Sequence, residues 1–420
     1  MAVVLAYTSP ALGHLFPFCA LLTELSSRGH EVQVRTLASG VHLCRRLGFG
    51  AHRVDPRIEA LQSDDWTAGS ALTVVGKTVE TLTGRAGLEV ADLRTAIEEV
   101  APDVLLVDAN CWGAISAAET TTIPWLIFSP FIPYLESPGS PPFGPGFAPK
   151  PGWLGRLRDN GARTVTRAVF DRPLRRGLDP VRAALGLPAV RNADDLLRRA
   201  PAILVATAKP FEYPHTDWGD SVHLIGPAVF EPPGSVPPGW LRGIERPVVL
   251  VTTSSVRQAD TALADAALRA LDGEPVHVVA TLPAGVGDVA QEATRNASVT
   301  GFIPHSAVLE RAVCVVTHGG MGITQKALSR GIPVCTVPFG RDQFEVARRV
   351  HIAGCGTRLP ARRLTAARLR DSVKSAMTMT AGARAVAAGF AAAGGMRHGA
   401  DVVERQIAGS RPRDRADPRR

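Results

Sequence analysis

The sequence predicts an α/β protein built from two halves, each with a parallel sheet. The first half opens with a strand at Val3–Tyr7, a helix at Phe16–Arg28 and a strand at His30–Thr36. The right-handed crossover of such a unit makes its two strands parallel. A second series of strands and helices begins at Pro247, and the proline-rich stretch 231–239 between the halves has the composition of a stiff linker.

Length and composition limit the functional classes. The chain has 420 residues, of which 45% are apolar, so it is long enough for two or three globular domains. No stretch reaches the ~18 consecutive apolar residues of a membrane span. No basic segment precedes the short apolar run at the N-terminus, so a signal peptide is not expected. The cysteines form no Cys-x-x-Cys pair, which predicts reduced thiols in the cytoplasm and no zinc site.

Two regions carry much of the net charge of +8. Residues 411–420 include five Arg and two Asp, and we predict a disordered basic tail over 410–420. Residues 156–199 include eleven Arg and five Asp, which is typical of a solvated basic face. A phosphate-rich partner or a membrane surface is the alternative interpretation of this region. Aromatic residues make up 5% of the chain and no nucleic-acid-binding motif is present, so no nucleic-acid partner is expected.

A glycine-rich turn is the most informative motif of the second half. Residues 318–322, His-Gly-Gly-Met-Gly, follow the apolar strand Cys314–Thr317 and precede a helix over Ile323–Arg330, which ends at Gly331. A strand that ends in glycines and leads into a helix exposes backbone N–H groups at the positive end of the helix dipole. This arrangement favours the binding of a phosphate. An ordinary strand–turn–helix corner is the alternative interpretation.

Two residues of the first half are candidates for acid–base chemistry. His14 lies in the turn after the first strand, where it is either a general base or a polar group at the start of the helix. A histidine base needs an acid that orients its ring. Asp108 ends the buried strand Pro102–Asp108 at the ligand edge of the sheet, whereas Asp103 lies at the opposite end of this strand. The alternative role of Asp108 is to cap the helix that follows it.

Residues 132–152 are dense in proline and glycine, so no helix or strand is predicted there. A long loop at the functional edge of a sheet is typical of a binding loop or a lid. Its aromatic residues either line a binding pocket or attach the loop to the protein surface.

Taken together, these motifs resemble the signature of the GT-B glycosyltransferases, which use nucleotide sugars and form part of the UDP-glycosyltransferase-like superfamily. The similarity is greatest to the bacterial natural-product branch, which acts on macrolides, enediynes and aromatic polyketides. The His-Gly-Gly-x-Gly run, the later Asp-Gln pair at 342–343 and the Gly-His-x-x-Pro pattern at 13–17 carry the resemblance. It covers most of the chain and is weak at 55–100 and 135–200.

The resemblance implies the GT-B architecture, in which two Rossmann-like domains have parallel sheets that face a central cleft. We expect an N-terminal acceptor-binding domain and a C-terminal nucleotide-sugar-binding domain, followed by helices that cross back to the first domain. The expected bounds are 1–228 for the N-terminal domain, 229–244 for the linker, 245–383 for the C-terminal domain, 384–409 for the last helices and 410–420 for the tail.

The resemblance also implies roles for individual residues. His14 would be the general base, and Asp108 would orient it. Residues around the glycine-rich turn would hold the donor, and aromatic side chains would line an acceptor pocket. The implied donor-binding residues are Ser254, Ser255, Phe302, Ile303, His305, His318, Gly320, Met321, Gly322, Thr324, Asp342 and Gln343. The implied acceptor-binding residues are Phe16, Trp112, Phe131, Phe143, Phe147 and Trp153.

One departure from the family pattern concerns the donor. Plant-type members carry a Glu that binds the ribose eight residues after the histidine of the motif, and here this position is Lys326. We therefore expect a dTDP-sugar rather than a UDP-sugar as the co-substrate. The sequence near the turn contains no cluster of acidic residues of the kind that binds Mg²⁺. Neither a metal nor another cofactor is therefore expected.

The expected function is the inverting, metal-independent transfer of a (deoxy)sugar to a hydroxyl of a hydrophobic secondary metabolite in antibiotic biosynthesis. A glycolipid transferase at the membrane surface, using the basic face at 156–199, is one alternative. A catalytically silent GT-B subunit is the other. The expected partners are a nucleotide sugar and a small hydrophobic acceptor, with a homodimer left open and no membrane insertion.

Overall fold

The computed structural model of the chain describes residues 1–61, 71–234, 236–254, 261–282 and 296–410. Within these residues the chain forms two parallel sheets, one of seven strands in the first half and one of six in the second. The predicted α/β class with two parallel sheets is confirmed. The predicted donor contact Ser255 and the predicted tail at 411–420 lie outside the described residues.

The first sheet occupies the first half of the chain. Its strands are β1 Val3–Tyr7, β2 Glu31–Thr36, β3 Gly50–Arg53, β4 Val104–Asp108, β5 Trp125–Ser129, β6 Ile203–Val205 and β7 Val222–Leu224. Their order is β3-β2-β1-β4-β5-β6-β7, and every neighbouring pair is parallel. Central strands of a parallel sheet are covered on both faces, and β4 and β5 are accordingly buried along their whole length.

The helices of the first half are α1 Leu12–Ser27, α2 Ala38–Arg46, α3 Pro56–Ala60, α4 Ala71–Val100, α5 Trp112–Glu119, α6 Trp153–Thr166, α7 Arg172–Ala184 and α8 Ala193–Leu197. A π-helical segment at Arg167–Asp171 joins α6 to α7 in one helical run. The sequence predictions include neither α4 nor this run. The many arginines of the run obscure its apolar pattern in the sequence. In the structure, α7 buries Leu174 and Leu178, which lie one helical turn apart.

The second sheet has the strands β8 Val248–Thr252, β9 His277–Thr281, β10 Ala297–Thr300, β11 Ala312–Thr317, β12 Val334–Thr336 and β13 Gly356–Arg358. Their order is β10-β9-β8-β11-β12-β13, again with parallel neighbours. The helices are α9 Thr261–Leu271, α10 His305–Leu309, α11 Met321–Leu328, α12 Gln343–Ile352, α13 Ala366–Met377, α14 Thr380–Ala392 and α15 Gly395–Ser410. Short 3₁₀ helices occupy Gly239–Gly243 and Ala361–Arg363. Of the helices within the described ranges, none combines the length and the apolar character that crossing a membrane requires.

In both sheets the strand order reverses beside the first strand. β1 lies between β2 and β4, and β8 lies between β9 and β11. The connections that leave the carboxyl ends of two adjacent strands therefore diverge, and a crevice opens between them. The topology thus fixes one ligand site above β1 and β4 and another above β8 and β11.

Most predicted elements are confirmed, with bounds that shift by a few residues. β1 has the predicted bounds, and the loop at 132–152 contains no helix or strand. The prediction that α1 begins at Phe16 is wrong, because the chain is already helical at Leu12 and Pro17 lies inside the helix. β7, which pairs with β6 at the edge of the first sheet, is absent from the sequence predictions.

The last helix, α15, packs against α1 of the first half. Several apolar side chains of α15, such as Val403, belong to the core on one face of the first sheet. Gly399 permits the close approach of the two helices, since a Cβ atom there would lie 3.0 Å from a methyl carbon of Leu21. Arg28 at the end of α1 donates hydrogen bonds to Asp401 at 2.6 Å and to Glu404 at 2.8 Å. Residues late in the chain therefore complete the packing of its first half.

Candidate active site

A histidine and an aspartate meet at the crevice above β1 and β4. His14 is in the first turn of α1, soon after β1, and Asp108 is the last residue of β4. The His14 Nδ1 atom lies 2.8 Å from the Asp108 Oδ2 atom, although the two residues are 94 positions apart in the chain. The parallel pairing of β1 with β4 brings the carboxyl ends of the two strands side by side, and this places the side chains in contact.

Asp108 is completely buried and firmly held. Its Oδ1 atom accepts the backbone N–H of Asn110 at 2.8 Å, while Oδ2 faces His14. A carboxylate that accepts a hydrogen bond from Nδ1 favours the histidine tautomer in which Nε2 carries the lone pair. The His14 side chain is 20% exposed and lines a cavity, so this basic nitrogen is accessible to a ligand.

The cavity beside His14 has a volume of about 1150 Å³, and residues of both halves line it. A connected series of aromatic rings forms one wall. Phe131 lies 5.6 Å from His14 and 5.4 Å from Tyr134 between ring centroids. From Tyr134 the series continues to Phe143 at 4.9 Å and to Phe170 at 5.2 Å. Such a wall suits an apolar ligand with several rings.

Asp342 brings the second half to the same cavity. It directly precedes α12, and it lines the cavity together with Arg341. Burial raises the pKa of the Asp342 carboxyl, and the neighbouring Arg341 guanidinium opposes this change. Gln343 supports the loop, because its Oε1 atom accepts the N–H groups of Phe339 at 2.8 Å and Gly340 at 3.1 Å. A ligand in this cavity therefore contacts both halves.

The glycine-rich turn lies between β11 and α11, at the second crevice. Gly319 has a φ of +92°, which favours glycine. A Cβ atom on Gly320 would lie 2.5 Å from the Nε2 atom of His318, so a larger residue there would displace the imidazole. Thr324 Oγ1 donates to the Gly320 carbonyl at 2.8 Å, which joins the turn to α11. Ser254 is buried just after β8, the strand that pairs with β11. Backbone N–H groups in the first turn of a helix have no partner within the helix and can bind an anion.

Comparison with known proteins identifies the family. The sequence family described as "Erythromycin biosynthesis protein CIII-like, C-terminal domain" matches residues 262–404. The 4'-demethylrebeccamycin synthase of Lentzea aerocolonigenes is 34% identical over 391 residues, which cover 90% of this chain and 92% of that enzyme. The chain belongs to the GT-B glycosyltransferases of bacterial natural-product biosynthesis.

Two further comparisons concern the whole length of this glycosyltransferase. The demethyllactenocin mycarosyltransferase of Streptomyces fradiae is 25% identical over 422 residues, which cover 96% of this chain and 86% of that enzyme. The crystal structure of the glycotransferase of kitacinnamycin superimposes with a TM-score of 0.74 at 25% identity, and the match covers 97% of this chain and 99% of that one. The predicted GT-B architecture and the resemblance to the natural-product branch are therefore confirmed.

Other predicted donor residues of the glycosyltransferase lie near the same edge of the second sheet. Phe302 is 55% exposed, whereas Ile303 is buried in the core. The His305 Nε2 atom lies 3.1 Å from the Thr281 Oγ1 atom. Burial, together with the positive charge of Lys326, lowers the pKa of His305 to about 4, and the charge of Glu231 opposes this change. His305 is therefore a neutral side chain at neutral pH.

Lys326 pairs with a carboxylate from the linker. Its Nζ atom lies 3.6 Å from Glu231 Oε1, and this carboxylate also accepts the backbone N–H of Ser306 at 3.1 Å. Burial lowers the pKa of Lys326, and the charge of Glu231 opposes this change. The position that carries Glu in plant-type relatives thus carries a lysine here, but the linker places a carboxylate next to it.

The predicted acceptor-binding residues separate into two groups in the glycosyltransferase. Phe131 and Phe143 line the cavity, as the sequence predicts. The placement predicted for Trp112 needs correction, because its side chain has no exposed surface. It packs behind the cavity wall, 5.9 Å from Phe170 between ring centroids. The first turn of α5 faces the core, and the sequence around Trp112 does not reveal this orientation.

Three more predicted acceptor residues lie outside the described cavity wall and also need correction. Phe16 packs against Phe230 at 5.7 Å between ring centroids, on the side of α1 that faces the linker. The Phe147 ring lies 4.9 Å from the guanidinium of Arg158, which fixes it to α6. Trp153, the first residue of α6, is 66% exposed. Phe16 on α1, Phe147 in the loop and Trp153 on α6 therefore all lie outside the described cavity wall.

Two parts of the cavity wall are absent from the sequence predictions. α4 contributes Thr78, Thr81, Leu82 and Arg85, which are spaced as one face of a helix. The π-helical segment contributes Phe170. The helical spacing of the α4 residues is visible in the sequence. Their position beside β1 depends on the packing of α4 on the first sheet, and the sequence does not show this.

The two halves of the glycosyltransferase are joined through α12. Glu345 Oε1 accepts the backbone N–H groups of Gly144 and Gly146 in the proline-rich loop, both at 2.9 Å. Arg349 donates to Glu345 at 2.9 Å and to Glu212 of the first half at 2.8 Å. These three charged side chains are all buried, so water screens their interaction little. The helix that follows Asp342 therefore also holds the proline-rich loop of the cavity wall.

Proposed function

We propose that this glycosyltransferase moves a deoxysugar from a dTDP-sugar to a hydroxyl of a hydrophobic secondary metabolite, with inversion at the anomeric carbon and without a metal ion. One observation carries the proposal. His14, oriented by the buried Asp108, lines the same cavity as Asp342 of the other half. A base on one side of the cavity and a carboxylate suited to sugar hydroxyls on the other are the groups that a direct displacement uses.

The proposed reaction begins when the acceptor hydroxyl meets His14. The Nε2 atom takes the hydroxyl proton while the acceptor oxygen forms a bond to the anomeric carbon. The bond between this carbon and the diphosphate oxygen breaks, and its electron pair leaves with the diphosphate. Because the new bond forms opposite the leaving group, the configuration inverts. Asp108 stabilises the imidazolium that forms on His14.

The glycine-rich turn supports the departure of the diphosphate. The N-terminus of α11 offers backbone N–H groups and the positive end of the helix dipole to the charge that develops there. His318 lies against Gly320 in the same turn and can donate a further hydrogen bond. Among the residues that the structure describes, no group of three His, Cys, Asp or Glu side chains is arranged to hold a metal ion. We therefore assign the stabilisation of the leaving group to protein N–H groups.

The proposed acceptor is an apolar molecule with several rings. The connected aromatic wall from Phe131 to Phe170 supports this, as do the relatives named 4'-demethylrebeccamycin synthase and demethyllactenocin mycarosyltransferase. The intact His14–Asp108 pair favours a catalytic role over that of a silent subunit.

The proposed preference for dTDP follows from the surroundings of Lys326. The carboxylate beside it, Glu231, already interacts with the Lys326 ammonium and with the N–H of Ser306. It is therefore less available to bind a ribose 2′-hydroxyl, which UDP has and dTDP lacks.

A thermal-unfolding experiment tests the donor. A ligand that binds the folded protein raises its Tm, and at a fixed concentration the ligand with the lower Kd raises it more. We expect dTDP to raise the Tm more than UDP does at the same concentration. A larger shift with UDP would contradict the proposed donor.

A transfer assay tests the reaction itself. The protein is incubated with a dTDP-α-sugar and a panel of multi-ring alcohols in the presence of EDTA, and the product is examined by NMR. We expect a β-glycoside whose yield EDTA does not reduce. An α-glycoside would contradict inversion. Loss of transfer with EDTA that Mg²⁺ or Mn²⁺ restores would contradict metal independence.

A further inference from the structure

An arginine in the inner wall of the cavity has no part in the reaction described above. Arg85 on α4 lines the cavity, yet it is only 5% exposed. Its Nε atom is buried and has no hydrogen-bond partner within the part of the chain that the structure describes. A buried donor without a partner is energetically costly, so the guanidinium is suited to a ligand that enters the cavity.

Four other arginines belong to the described wall. Arg163, Arg167 and Arg341 are partly or fully exposed, and Arg163 in addition donates hydrogen bonds to Asn160 and to the Ser140 carbonyl. Arg358 is partly buried, and its Nε atom also lacks a hydrogen-bond partner among the described residues. Arg85 is the most deeply buried of these five arginines.

The counter-charge of Arg85 lies behind the wall. Glu89, one helical turn further along α4, has no exposed surface, and its Oε1 atom lies 3.7 Å from the Arg85 Nε atom. Its other oxygen accepts the Gly113 N–H at 2.9 Å, at the start of α5. Glu89 is therefore a counter-charge that lies too far from the Arg85 Nε atom for a hydrogen bond, and its own Oε1 atom has no hydrogen-bond partner among the described residues either.

The Arg85–Glu89 pair lies close to the His14–Asp108 pair. Burial raises the pKa of Glu89 to about 7, the Arg85 guanidinium opposes this change, and the charge of Asp108 adds to it. The same three charged residues affect the pKa of the buried Cys111 thiol, which burial raises. Arg85 shares one face of α4 with Thr81 and Thr78, and all three line the cavity together with His14.

We propose that Arg85 is an acceptor-binding residue that recognises a carbonyl or carboxylate oxygen on the ring system of the acceptor. The acceptor of this enzyme is then an apolar multi-ring alcohol that also carries such an oxygen on its ring system. This inference rests on the proposed function for the identity of the cavity as the acceptor site. The aromatic wall binds the rings, and Arg85 selects the orientation in which the hydroxyl reaches His14.

Three matched naphthalene probes test the proposal by direct binding, with dTDP present and no sugar donor. They are 2-naphthol, methyl 6-hydroxy-2-naphthoate and 6-hydroxy-2-naphthoate, which carry no extra oxygen group, a carbonyl and a carboxylate. Isothermal titration calorimetry measures the Kd of each probe. For the wild type we expect the carboxylate or the carbonyl probe to bind at least about tenfold more tightly than 2-naphthol, because hydrogen bonds with a charged partner are the strong ones. The probe that gains more identifies which of the two oxygens is recognised.

Three variants separate recognition by Arg85 from a structural role. Arg85→Leu should abolish the preference and bring the Kd values within about twofold of that for 2-naphthol. Arg94→Leu removes the same charge from an exposed position of the same helix and should leave the preference intact. Glu89→Gln keeps Arg85 and removes its counter-charge, so it should tighten the binding of the carboxylate probe several-fold at pH 8 and leave 2-naphthol unchanged. This variant also covers the case in which Arg85→Leu fails to fold.

Equal affinity of the wild type for the three probes, or no measurable binding of either oxygen-bearing probe, would overturn the proposal. A preference that survives Arg85→Leu, or a Glu89→Gln protein that binds the carboxylate probe no better than the wild type, would overturn it as well. Since no sugar is transferred in this experiment, its outcome is independent of the transfer assay. A wild type that transfers sugar but binds the probes equally rejects the role of Arg85 alone. A protein that shows the preference without transferring sugar rejects the proposed function alone.

Discussion

The ligand-binding edges of the two sheets of this glycosyltransferase are formed by different kinds of chemical group. The edge of the first sheet consists of side chains from distant parts of the sequence, with His14 from α1, Asp108 from β4 and Arg85 from α4. The edge of the second sheet is largely backbone, with the glycine-rich turn at 318–322 and the N-terminus of α11. Both edges occupy the same topological position, the crevice where the strand order reverses.

This difference teaches how each edge is specified. A phosphate site made of backbone N–H groups needs glycines and a helix start in one short segment, so its requirement is local. A catalytic and acceptor site made of side chains needs several elements in register, because each contributes one group. A single substitution at the first edge should therefore cause a large loss of activity, because one side chain supplies each function. A single substitution at the second edge should cause a smaller loss, because several N–H groups share the function.

We expect the largest effect on kcat when each of the two histidines is replaced in turn. His14→Ala should lower kcat by ~10²–10⁴-fold, because a general base contributes about this much and the turn before α1 offers no other base. The affinity for dTDP should stay unchanged. His318→Ala should lower kcat by only about tenfold and should weaken dTDP binding too, because the N–H groups of the turn remain. The measurements are kcat with a hydroxyl acceptor and Kd for dTDP.

Asp108→Asn serves as the control for the first histidine. It removes the orientation of the ring and the stabilisation of the imidazolium but leaves the base, so kcat should fall by the same factor as in His14→Ala or less. Acidic phenols must be excluded from this test, since they react without a base. Near wild-type kcat for His14→Ala with an alcohol would show that the side chains of the first edge do not perform the chemistry assigned to them.

The second expected effect concerns stability at the second edge. Burial lowers the pKa of His305 from 6.5 to about 4. Between pH 6.5 and pH 4 the unfolded chain binds this proton before the folded protein does, so the free energy of unfolding decreases as the pH falls. Above pH 6.5 the contribution of His305 to stability is fully present. The loss amounts to about 3 kcal/mol at ~1.36 kcal/mol per pKa unit.

His305→Gln measures this contribution by difference. Urea unfolding at pH 7 and at pH 4 should show that the free energy of unfolding of the wild type falls by about 3 kcal/mol more than that of the variant. An equal fall in both proteins would mean that His305 does not titrate as a buried neutral side chain.

The smallest expected effect concerns the connection between the edges. Glu345→Ala removes the acceptor of the Gly144 and Gly146 N–H groups and one partner of Arg349. The loop then loses its attachment to α12, and we expect the KM for the acceptor to rise by about tenfold with little change in the Kd for dTDP. Glu98→Ala, at an exposed carboxylate outside the described cavity wall, is the control for loss of charge. An unchanged acceptor KM in Glu345→Ala would show that the two edges work independently.

The sequence by itself determined the two parallel-sheet halves and the glycine-rich turn. It also supplied the pairing of His14 with Asp108 as a hypothesis. These features depend on local patterns: strand–helix–strand periodicity, glycines at a turn, and polar residues at strand ends. Topology then requires that the carboxyl ends of β1 and β4 meet, and the observed contact of 2.8 Å between His14 and Asp108 follows from it.

Tertiary structure alone decided which side chains form the acceptor wall. Aromatic residues such as Trp112 and Trp153 look equivalent in sequence to Phe131, yet one is completely buried and another is 66% exposed. Arg85 belongs to α4, whose position depends on packing against α5 and α7 rather than on any local signal. The physical reason is that a side-chain site is defined by which faces of separate elements are turned toward one another, and those faces are chosen by burial of the whole core.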